Sequence, residues 1–534
     1  MKLPLTPLRF LERAERLYGG KTAVVCGERR FTYAEFAGRC RRLAGGLRAL
    51  GVQQGGGQGA RVAFLGWNCH RLLEAYYGVP MAGGVLLPLN VRLSAPELAA
   101  ILRDSDAHVL FYDAEFAVLA ESLCAEAPEL EHVIPWSALP PAMADEGAFP
   151  RSYDELVKLA VPLPGGTDDC TQINEDAIAE MFYTSGTTGH PKGVMLSHRT
   201  LYLHALNALI AKQYTDAMVQ LHAVPLFHAN GWGNAHMLTA VGARHVILSR
   251  FEPAAVCRLI EREKITALCL VPTMAVMLLG HIESGAERHD LSSLEWTELG
   301  GAAATPEMIE RMERAFGCLC YCGYGLTESG PVISISRLGE LARGMEPAEQ
   351  ARRKAMTGRE IIGVEIRIVD DRDNALPKDG VSIGEIVARG DAIMDRYWEN
   401  PPETDIVLRD GWLYTGDMAV WDEHGFIHIV DRKKEIIISG GENISSLEIE
   451  RAINAHPAVQ ESAVVAMADP KWGEVPKAFV VLKPGVLLNA LELVGHLGNH
   501  LAKFKVPQQI EFIAALPKGG TGKIQKKLLR QRES

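Results

Sequence analysis

MFYTSGTTGHPKGVMLSH, which spans Met181–His198, is the most informative stretch of this sequence. It opens on an apolar, β-prone run, passes through a cluster of glycine, serine and threonine, and returns to apolar residues at Val194–Leu196. This pattern predicts a strand, a polar loop and a second strand. A Walker A loop is excluded, because Pro191 or Val194 stands where its second glycine belongs and no Ser or Thr follows Lys192.

The chemistry of this loop suits phosphate. Glycines let the backbone approach a ligand closely, and successive N–H groups can then converge on an anion. Threonine and serine add hydroxyl donors, and Lys192 adds a positive charge. The alternative is a polar hairpin loop with a lysine at its rim. Eleven consecutive residues of this chemistry, from Tyr183 to Gly193, favour the phosphate-binding interpretation.

Further polar or glycine-rich segments lie along the chain. In chain order they are PLFHANGW at 225–232, GGAAA at 300–304, CGYGLTE at 322–328, WLYTGD at 412–417, DRKKE at 431–435 and LPKGGTGKIQK at 516–526. Each has an ordinary structural interpretation when taken alone, such as a capped strand end, a tight turn or a solvated linker. A lone acid such as Glu328 after a turn gains significance only together with the loop at 181–193.

Together these segments resemble the adenylate-forming family, which includes acyl-CoA synthetases and the adenylation domains of peptide synthetases. YTSGTTGHPKG matches the family's phosphate-loop signature at its fixed positions, and the other motifs follow in family order over nearly the whole chain. The resemblance implies an ATP- and Mg²⁺-dependent ligase that joins a carboxylic acid to coenzyme A through an acyl-adenylate.

The resemblance also implies roles for individual residues. Glu328 and Thr184 would bind Mg²⁺, Thr327 the α-phosphate, and Lys523 would be the catalytic lysine. The remaining nucleotide-binding residues would be Ser185, Gly186, Thr187, Thr188, Gly189, Lys192, Gly301, Ala302, Ala303, Cys322, Gly323, Tyr324, Gly325, Asp417, Arg432 and Lys434. In this set Tyr324 would stack on adenine, Asp417 and Arg432 would hold the ribose, and Lys434 would be the pivot of a hinge.

A second implied set binds the acid and coenzyme A. It comprises His228, Ala229, Gly231, Trp232, Ser439, Gly440, Gly441 and Glu442. The fatty-acyl branch of the family has a tryptophan at the place of Trp232, so the resemblance implies a medium- or long-chain fatty acid. An indole at that position could wall or gate an apolar tunnel. An aromatic or other small acid, a carrier protein as acceptor, and a nucleotide-binding regulator without turnover remain alternatives. Lys526 and Lys527 are interpreted as solubilising charges of a basic tail.

Alternating helical and extended segments predict an α/β fold with layered sheets. The resemblance implies a large N-terminal domain, with two sheets, helices and a distorted β-barrel, over residues 1–430. A hinge would follow at 431–436 and a small, mobile α+β domain at 437–534. Two domains agree with a length of 534 residues.

Composition excludes several classes of protein. The hydrophobic content of 47% and charged content of 23% are ordinary for a globular enzyme, and a net charge of −11 disfavours a nucleic-acid partner. No apolar run approaches the ~20 residues of a transmembrane span. The N-terminus lacks the apolar core of a signal peptide, and the ten cysteines form no C-x-x-C pair, so we expect a cytoplasmic protein with reduced thiols. Family members are often homodimers, but the sequence leaves the oligomeric state open.

Three apparent motifs are not expected to carry chemistry. GVSIG at 380–384 matches a hydrolase nucleophile elbow, but a strand follows it where a helix is required. His496 and His500 lack the glutamate of a zinc protease helix. Cys318, Cys320 and Cys322 alternate, so we expect them to share one strand face and pack inward instead of binding metal.

Overall fold

The structure is a computed structural model that describes residues 2–53, 59–137, 150–164, 173–185, 191–285, 287–439, 442–498, 500–518 and 524–531. Its internal contacts divide the chain into two compact units. The first unit is Met1–Ile366 with Ala388–Tyr414, and the second unit is Arg367–Val387 with Thr415–Ser534. The predicted domain boundaries, with a hinge at 431–436, remain a prediction.

A seven-stranded sheet, counted over the described residues of the first unit, carries the hairpin of the phosphate-loop motif. Its strands, in spatial order, are Arg396–Tyr397, Pro191–Ser197, Ile178–Ser185, Val85–Leu89, Arg61–Leu65, Ala107–Tyr112 and His132–Pro135. The pairs from Ile178–Ser185 to the far edge are parallel, whereas the hairpin pair is antiparallel. Arg61–Leu65 and Val85–Leu89 are buried throughout, as continuous apolar runs inside a parallel sheet should be.

The second sheet of the first unit has nine strands within the described part of the chain. In spatial order they are Arg359–Glu360, Ser334–Ile335, Leu319–Tyr324, Trp296–Leu299, Ala267–Leu270, Val219–His222, Arg244–Ile247, Thr22–Cys26 and Arg29–Thr32. Cys320 and Cys322 lie on one of these strands, directly after Cys318. All three pack in one apolar core, which confirms the predicted inward face.

Helices cover the sheets of the first unit. They are Leu8–Tyr18, Tyr33–Ala49, His70–Ala82, Ala95–Asp104, Ala117–Glu126, Tyr153–Leu159, His198–Lys212, Ala229–Trp232, Asn234–Val241, Pro253–Glu263, Pro272–Ser284, Pro306–Phe316, Pro347–Lys354 and Pro401–Val407. Several begin with proline, which lacks the N–H that the first helical turn leaves unpaired. Single-turn 3₁₀ segments occur at Ala114–Phe116, Thr327–Ser329 and Gly339–Ala342.

The chain passes between the units within three strands, Glu365–Val369, Gly384–Arg389 and Trp412–Trp421. The later strands are Ile427–Arg432, Ile437–Ser439, Glu442–Ile444, Val459–Asp469, Gly473–Leu482 and Gln509–Phe512. The helices of the second unit are Ser446–Asn454, Ala490–Gly498 and Lys526–Arg530, with 3₁₀ segments at Lys433–Glu435 and Lys503–Lys505. Helices packed on one antiparallel hairpin, Val459–Asp469 with Gly473–Leu482, give the α+β character predicted for this end.

The surroundings of Ser382 decide one of the apparent motifs. Ser382 lies in a turn before a strand and donates its hydroxyl to Asp379 at 2.7 Å, so it is not a nucleophile elbow. Among the residues described, no cluster of three or more His, Cys, Asp or Glu side chains is arranged to hold a metal ion. None of the described helices has the length and apolar character needed to cross a membrane.

Candidate functional site

The two strands predicted within 181–198 are confirmed. Ile178–Ser185 pairs antiparallel with Pro191–Ser197, in a register that sets Thr184 opposite Lys192 and Ser185 opposite Pro191. The two ends of the predicted phosphate loop therefore lie side by side. Gly186, Thr187, Thr188 and Gly189 lie outside the described residues.

Lys192 does not lie at a solvent-exposed rim, because its side chain is only 7% exposed. Its ammonium forms an ion pair with Glu403 and lies 5.1 Å from the ring centroid of Tyr397. A lysine held between a carboxylate and an aromatic face is ordered before any ligand arrives. Neither Glu403 nor Tyr397 was predicted from the sequence as a residue of the site.

Tyr397 also contacts Glu328, so Glu328 and Lys192 have this tyrosine as a common neighbour. Glu328 follows the strand Leu319–Tyr324 on the short turn Thr327–Ser329, and its Oε1 accepts a hydrogen bond from the Tyr397 hydroxyl at 2.9 Å. Burial, and then the negative charge of Glu328, raise the pKa of Tyr397, so the hydroxyl stays protonated and remains a donor. The predicted metal-binding carboxylate and the predicted phosphate-binding lysine thus flank one ring.

The PLFHANGW segment forms a left-handed turn. The strand before it, Val219–His222, ends at His222, and the turn follows. Residues 229–233 all have positive φ, at 44°, 45°, 63°, 62° and 82°. Asn230 stabilises this turn, since its Nδ2 donates to Glu180 Oε2 at 2.8 Å and its Oδ1 accepts from the Gly233 amide at 2.6 Å. Glu180 lies on the first strand of the hairpin, so the turn is tied to the predicted phosphate loop.

The turn directs Trp232 against the glycines of the GGAAA segment. A Cβ added to Gly300 would lie 3.0 Å from Trp232 Cη2 and 3.1 Å from the carbonyl oxygen of Gly323. The indole, the GGAAA segment and the CGYGLTE strand therefore meet, which brings three separately predicted motifs together. His228 directly precedes the turn, and both Ala229 and Gly231 are buried within it.

The nucleotide-binding residues predicted in the GGAAA and CGYGLTE segments are of two kinds. Gly301, Ala302 and Ala303 are exposed, as a surface for a flat ring requires. Cys322 is buried, and its N–H and C=O are bonded to Ser336 Oγ and to the Ser336 N–H, so it supports the strand beneath the motif. The neighbouring Gly323, Tyr324, Gly325 and Thr327 form the end of that strand and the following turn.

In the second unit, Asp417 and Arg432 lie opposite each other on two paired strands. Arg432 Nε lies 2.6 Å from Asp417 Oδ1, and the carboxylate is only 4% exposed. Lys434 follows on a 3₁₀ turn, where burial lowers the pKa of its ammonium. The two residues predicted to bind ribose are thus adjacent.

The predicted coenzyme A segment is described in part. Ser439 and Glu442 are backbone partners on two paired strands, and the intervening Gly440 and Gly441 lie outside the described residues. Lys523 also lies outside them.

One prediction about the C-terminal tail, that Lys526 serves solubility, is wrong. Lys526 is not a solubilising charge, since its side chain is only 13% exposed and its Nζ lies 2.7 Å from Glu450 Oε1 and 2.6 Å from Ser446 Oγ. Burial makes an unpaired carboxylate costly, which explains why Glu450 recruits this lysine. Lys527 is exposed, as predicted.

Comparison with known proteins identifies the family. The model of the AMP-binding enzyme family matches residues 11–398, and that of the AMP-binding enzyme C-terminal domain matches residues 448–523. This chain belongs to the AMP-binding enzyme family. It is therefore an acid–thiol ligase with an α/β fold, a large N-terminal domain and a small C-terminal domain.

The names of individual relatives specify different acids. A long-chain-fatty-acid–CoA ligase of Thermus thermophilus is 40% identical over 98% of this chain and 94% of its own length. A 4-hydroxybutyrate–CoA ligase of Metallosphaera sedula is 36% identical over 98% of this chain and 94% of its own. Among solved structures, an anthranilate CoA ligase in complex with anthranoyl-AMP superposes with a TM-score of 0.87 at 28% identity, covering 100% of this chain and 98% of that one.

Proposed function

We propose that this chain is an ATP-dependent acyl-CoA synthetase that acts through an acyl-adenylate on a medium- or long-chain fatty acid. The observation that carries the proposal is the position of Lys192 and Glu328 on either side of Tyr397, with Lys192 on the hairpin of the phosphate-loop motif. The 40% sequence identity to a long-chain-fatty-acid–CoA ligase supports a fatty acid as the substrate.

In the first half-reaction the carboxylate of the acid attacks the α-phosphorus of ATP, giving an acyl-adenylate and pyrophosphate. In the second, the coenzyme A thiol attacks the acyl carbon and AMP leaves. Lys192 and Lys523 would neutralise charge that develops on phosphate and carboxylate oxygens, which is the dominant contribution in such transfers. The Thr327 hydroxyl would donate a hydrogen bond to the α-phosphate. Asp417 and Arg432 would hold the ribose and so fix the position of the α-phosphorus.

The residues present fit a Mg²⁺ ion. A carboxylate at Glu328 and a hydroxyl at Thr184 are hard oxygen donors, and Mg²⁺ is usually bound through one or two such groups together with substrate phosphates. When bound, the ion would supply positive charge to the triphosphate. The proposal includes a hinge at Lys434. Between the half-reactions the C-terminal domain would rotate about this residue, so that Lys523 leaves the reacting groups and the segment Ser439–Glu442 takes its place.

Pyrophosphate release, measured over a panel of acids with ATP and Mg²⁺, tests the proposal. We expect fatty acids of medium or long chain to give the highest kcat/KM, and free coenzyme A to accept the acyl group. Acyl transfer only to a carrier protein would contradict the choice of acceptor. Absence of pyrophosphate release with every acid would contradict adenylation itself.

Replacing Lys523 tests its predicted catalytic role in the adenylation half-reaction. Lys523→Ala should lower the adenylation half-reaction at least about 100-fold, because a charge on the transferring group is lost. Thioester formation from supplied acyl-AMP should fall far less. The control is Lys527→Ala, which removes an exposed lysine of the same tail. Equal losses in both half-reactions would contradict the assignment.

A small or aromatic acid is the second candidate. Two relatives are named for 4-hydroxybutyrate and anthranilate, and the Trp232 indole occupies the space directly above Gly300. A bulky side chain at that point would shorten an acyl pocket. The same panel separates the candidates, since butyrate-sized or aromatic acids would then exceed fatty acids in kcat/KM.

A further inference from the structure

Tyr397 contacts two residues of the proposed site with two different parts of its side chain. Its hydroxyl donates to Glu328 Oε1 at 2.9 Å, while its ring face lies 5.1 Å from the Lys192 ammonium. The backbone fixes this position. Arg396–Tyr397 pairs antiparallel with the second strand of the hairpin, with Tyr397 opposite Val194, and the Met394 amide donates to the Glu328 carbonyl at 2.9 Å.

Glu403 completes the surroundings of Lys192. It lies in the first turn of the helix Pro401–Val407, where the Asn400 side chain accepts a hydrogen bond from the Glu403 amide at 3.3 Å. Its carboxylate pairs with Lys192, and both side chains are largely buried. A lysine ammonium has three donors, so it can keep Glu403 and the ring while it binds a phosphate oxygen.

We propose that Tyr397 is a positioning residue: its hydroxyl fixes Oε1 of Glu328 so that the carboxylate is presented to the divalent cation of bound nucleotide. Its ring face, together with Glu403, holds Lys192 toward the phosphates. This inference rests on the proposed function, because it takes Glu328 and Lys192 as the cation and phosphate ligands. A purely structural tyrosine would affect stability but not cation affinity.

The test is direct cation binding. In the full-length protein, Mn²⁺ affinity is measured by electron paramagnetic resonance in the presence of α,β-methylene-ATP, which cannot transfer its AMP group because a methylene carbon replaces the oxygen between the α- and β-phosphorus. Tyr397→Phe keeps the ring and removes the hydroxyl. We expect the Kd for Mn²⁺ to rise about tenfold, as for other groups that orient a metal ligand. The matched control, Tyr33→Phe, removes another buried hydroxyl, which donates to the Ala243 carbonyl, and should leave this Kd unchanged.

A second variant tests the lysine side of the proposal. Glu403→Gln should weaken binding of the nucleotide analogue several-fold at saturating Mn²⁺, whereas Asp405→Asn, on the exposed face of the same helix, should not. An unchanged Mn²⁺ Kd in Tyr397→Phe, alongside a weakened one in Glu328→Gln, would overturn the role of Tyr397. Unchanged analogue binding in Glu403→Gln would overturn the role of Glu403. If the wild-type protein bound neither Mn²⁺ nor the analogue, the proposed function would fail as well.

Discussion

At the scale of single residues, Lys212 and Glu298 form an ion pair that is sealed from solvent. Their side chains are 0% and 1% exposed, and Nζ lies 2.7 Å from Oε2. Burial alone would lower the pKa of Lys212, but the charge of Glu298 outweighs it and the pKa lies above its ordinary value. The pair lies beneath the proposed site, since a Cβ on Gly323 would come 2.3 Å from Glu298 Oε1.

This pair gives a stability prediction. Lys212→Met should destabilise the protein by about 3–5 kcal/mol, because it leaves a buried carboxylate without its counter-charge. The double variant Lys212→Met, Glu298→Leu should recover most of that loss, since paired charges can often be replaced by apolar groups of similar volume at little cost. Urea unfolding of the wild type, both single variants and the double variant would measure the coupling. Additive losses would show that the two charges do not depend on each other.

At the scale of elements, the left-handed turn 229–233 holds Trp232 in place. Asn230 tolerates positive φ better than most residues, and its side chain bonds to the buried Glu180 and to the Gly233 amide. Asn230→Ala should cost about 2–4 kcal/mol, because it removes two buried hydrogen bonds and leaves a Glu180 oxygen unpaired.

Asn230→Gly separates the loss of hydrogen bonds from backbone strain as causes of the lower stability. Glycine loses the same hydrogen bonds but adopts positive φ without steric strain, so it should be about 1 kcal/mol less destabilising than Ala. Thermal unfolding of the two variants measures that difference. If Gly and Ala were equally destabilising, backbone strain would contribute nothing at this position.

The elements differ in how far the sequence predicts them. The two strands of the hairpin, Ile178–Ser185 and Pro191–Ser197, lie where the sequence analysis placed them, because apolar runs on either side of a cluster of turn residues are a local signal. The left-handed turn was missed, since Ala229 and Trp232 are residue types that rarely adopt positive φ. The Tyr397–Glu328 and Lys192–Glu403 contacts were also missed. They join residues 69 and 211 positions apart, and no local pattern encodes such pairings.

At the scale of the whole molecule, the first unit buries several histidines in their neutral form. Burial lowers the pKa of His198 and His222 to about 4 and that of His204 to about 3, from an ordinary value of 6.5. Their nitrogens are paired with neutral groups: His198 with the Thr6 hydroxyl at 2.8 Å, His204 with the Val332 amide, and His222 with His245 at 3.0 Å. None of these partners carries a negative charge that would stabilise an imidazolium.

These histidines should make the protein acid-sensitive. Because each folded-state pKa lies below the unfolded value, the unfolded chain binds protons that the folded chain excludes once the pH falls below about 6.5. Stability should therefore be full above that pH and fall toward pH 4, by on the order of 1–2 kcal/mol per histidine at pH 5. Urea unfolding at pH 7.5, 6 and 5 measures this slope. His222→Gln should reduce the slope of the unfolding free energy against pH by about the contribution of one bound proton. His424→Gln, at an exposed position, should leave that slope unchanged. A stability that stayed constant between pH 7.5 and 5 would mean that these side chains are protonated in the folded protein too.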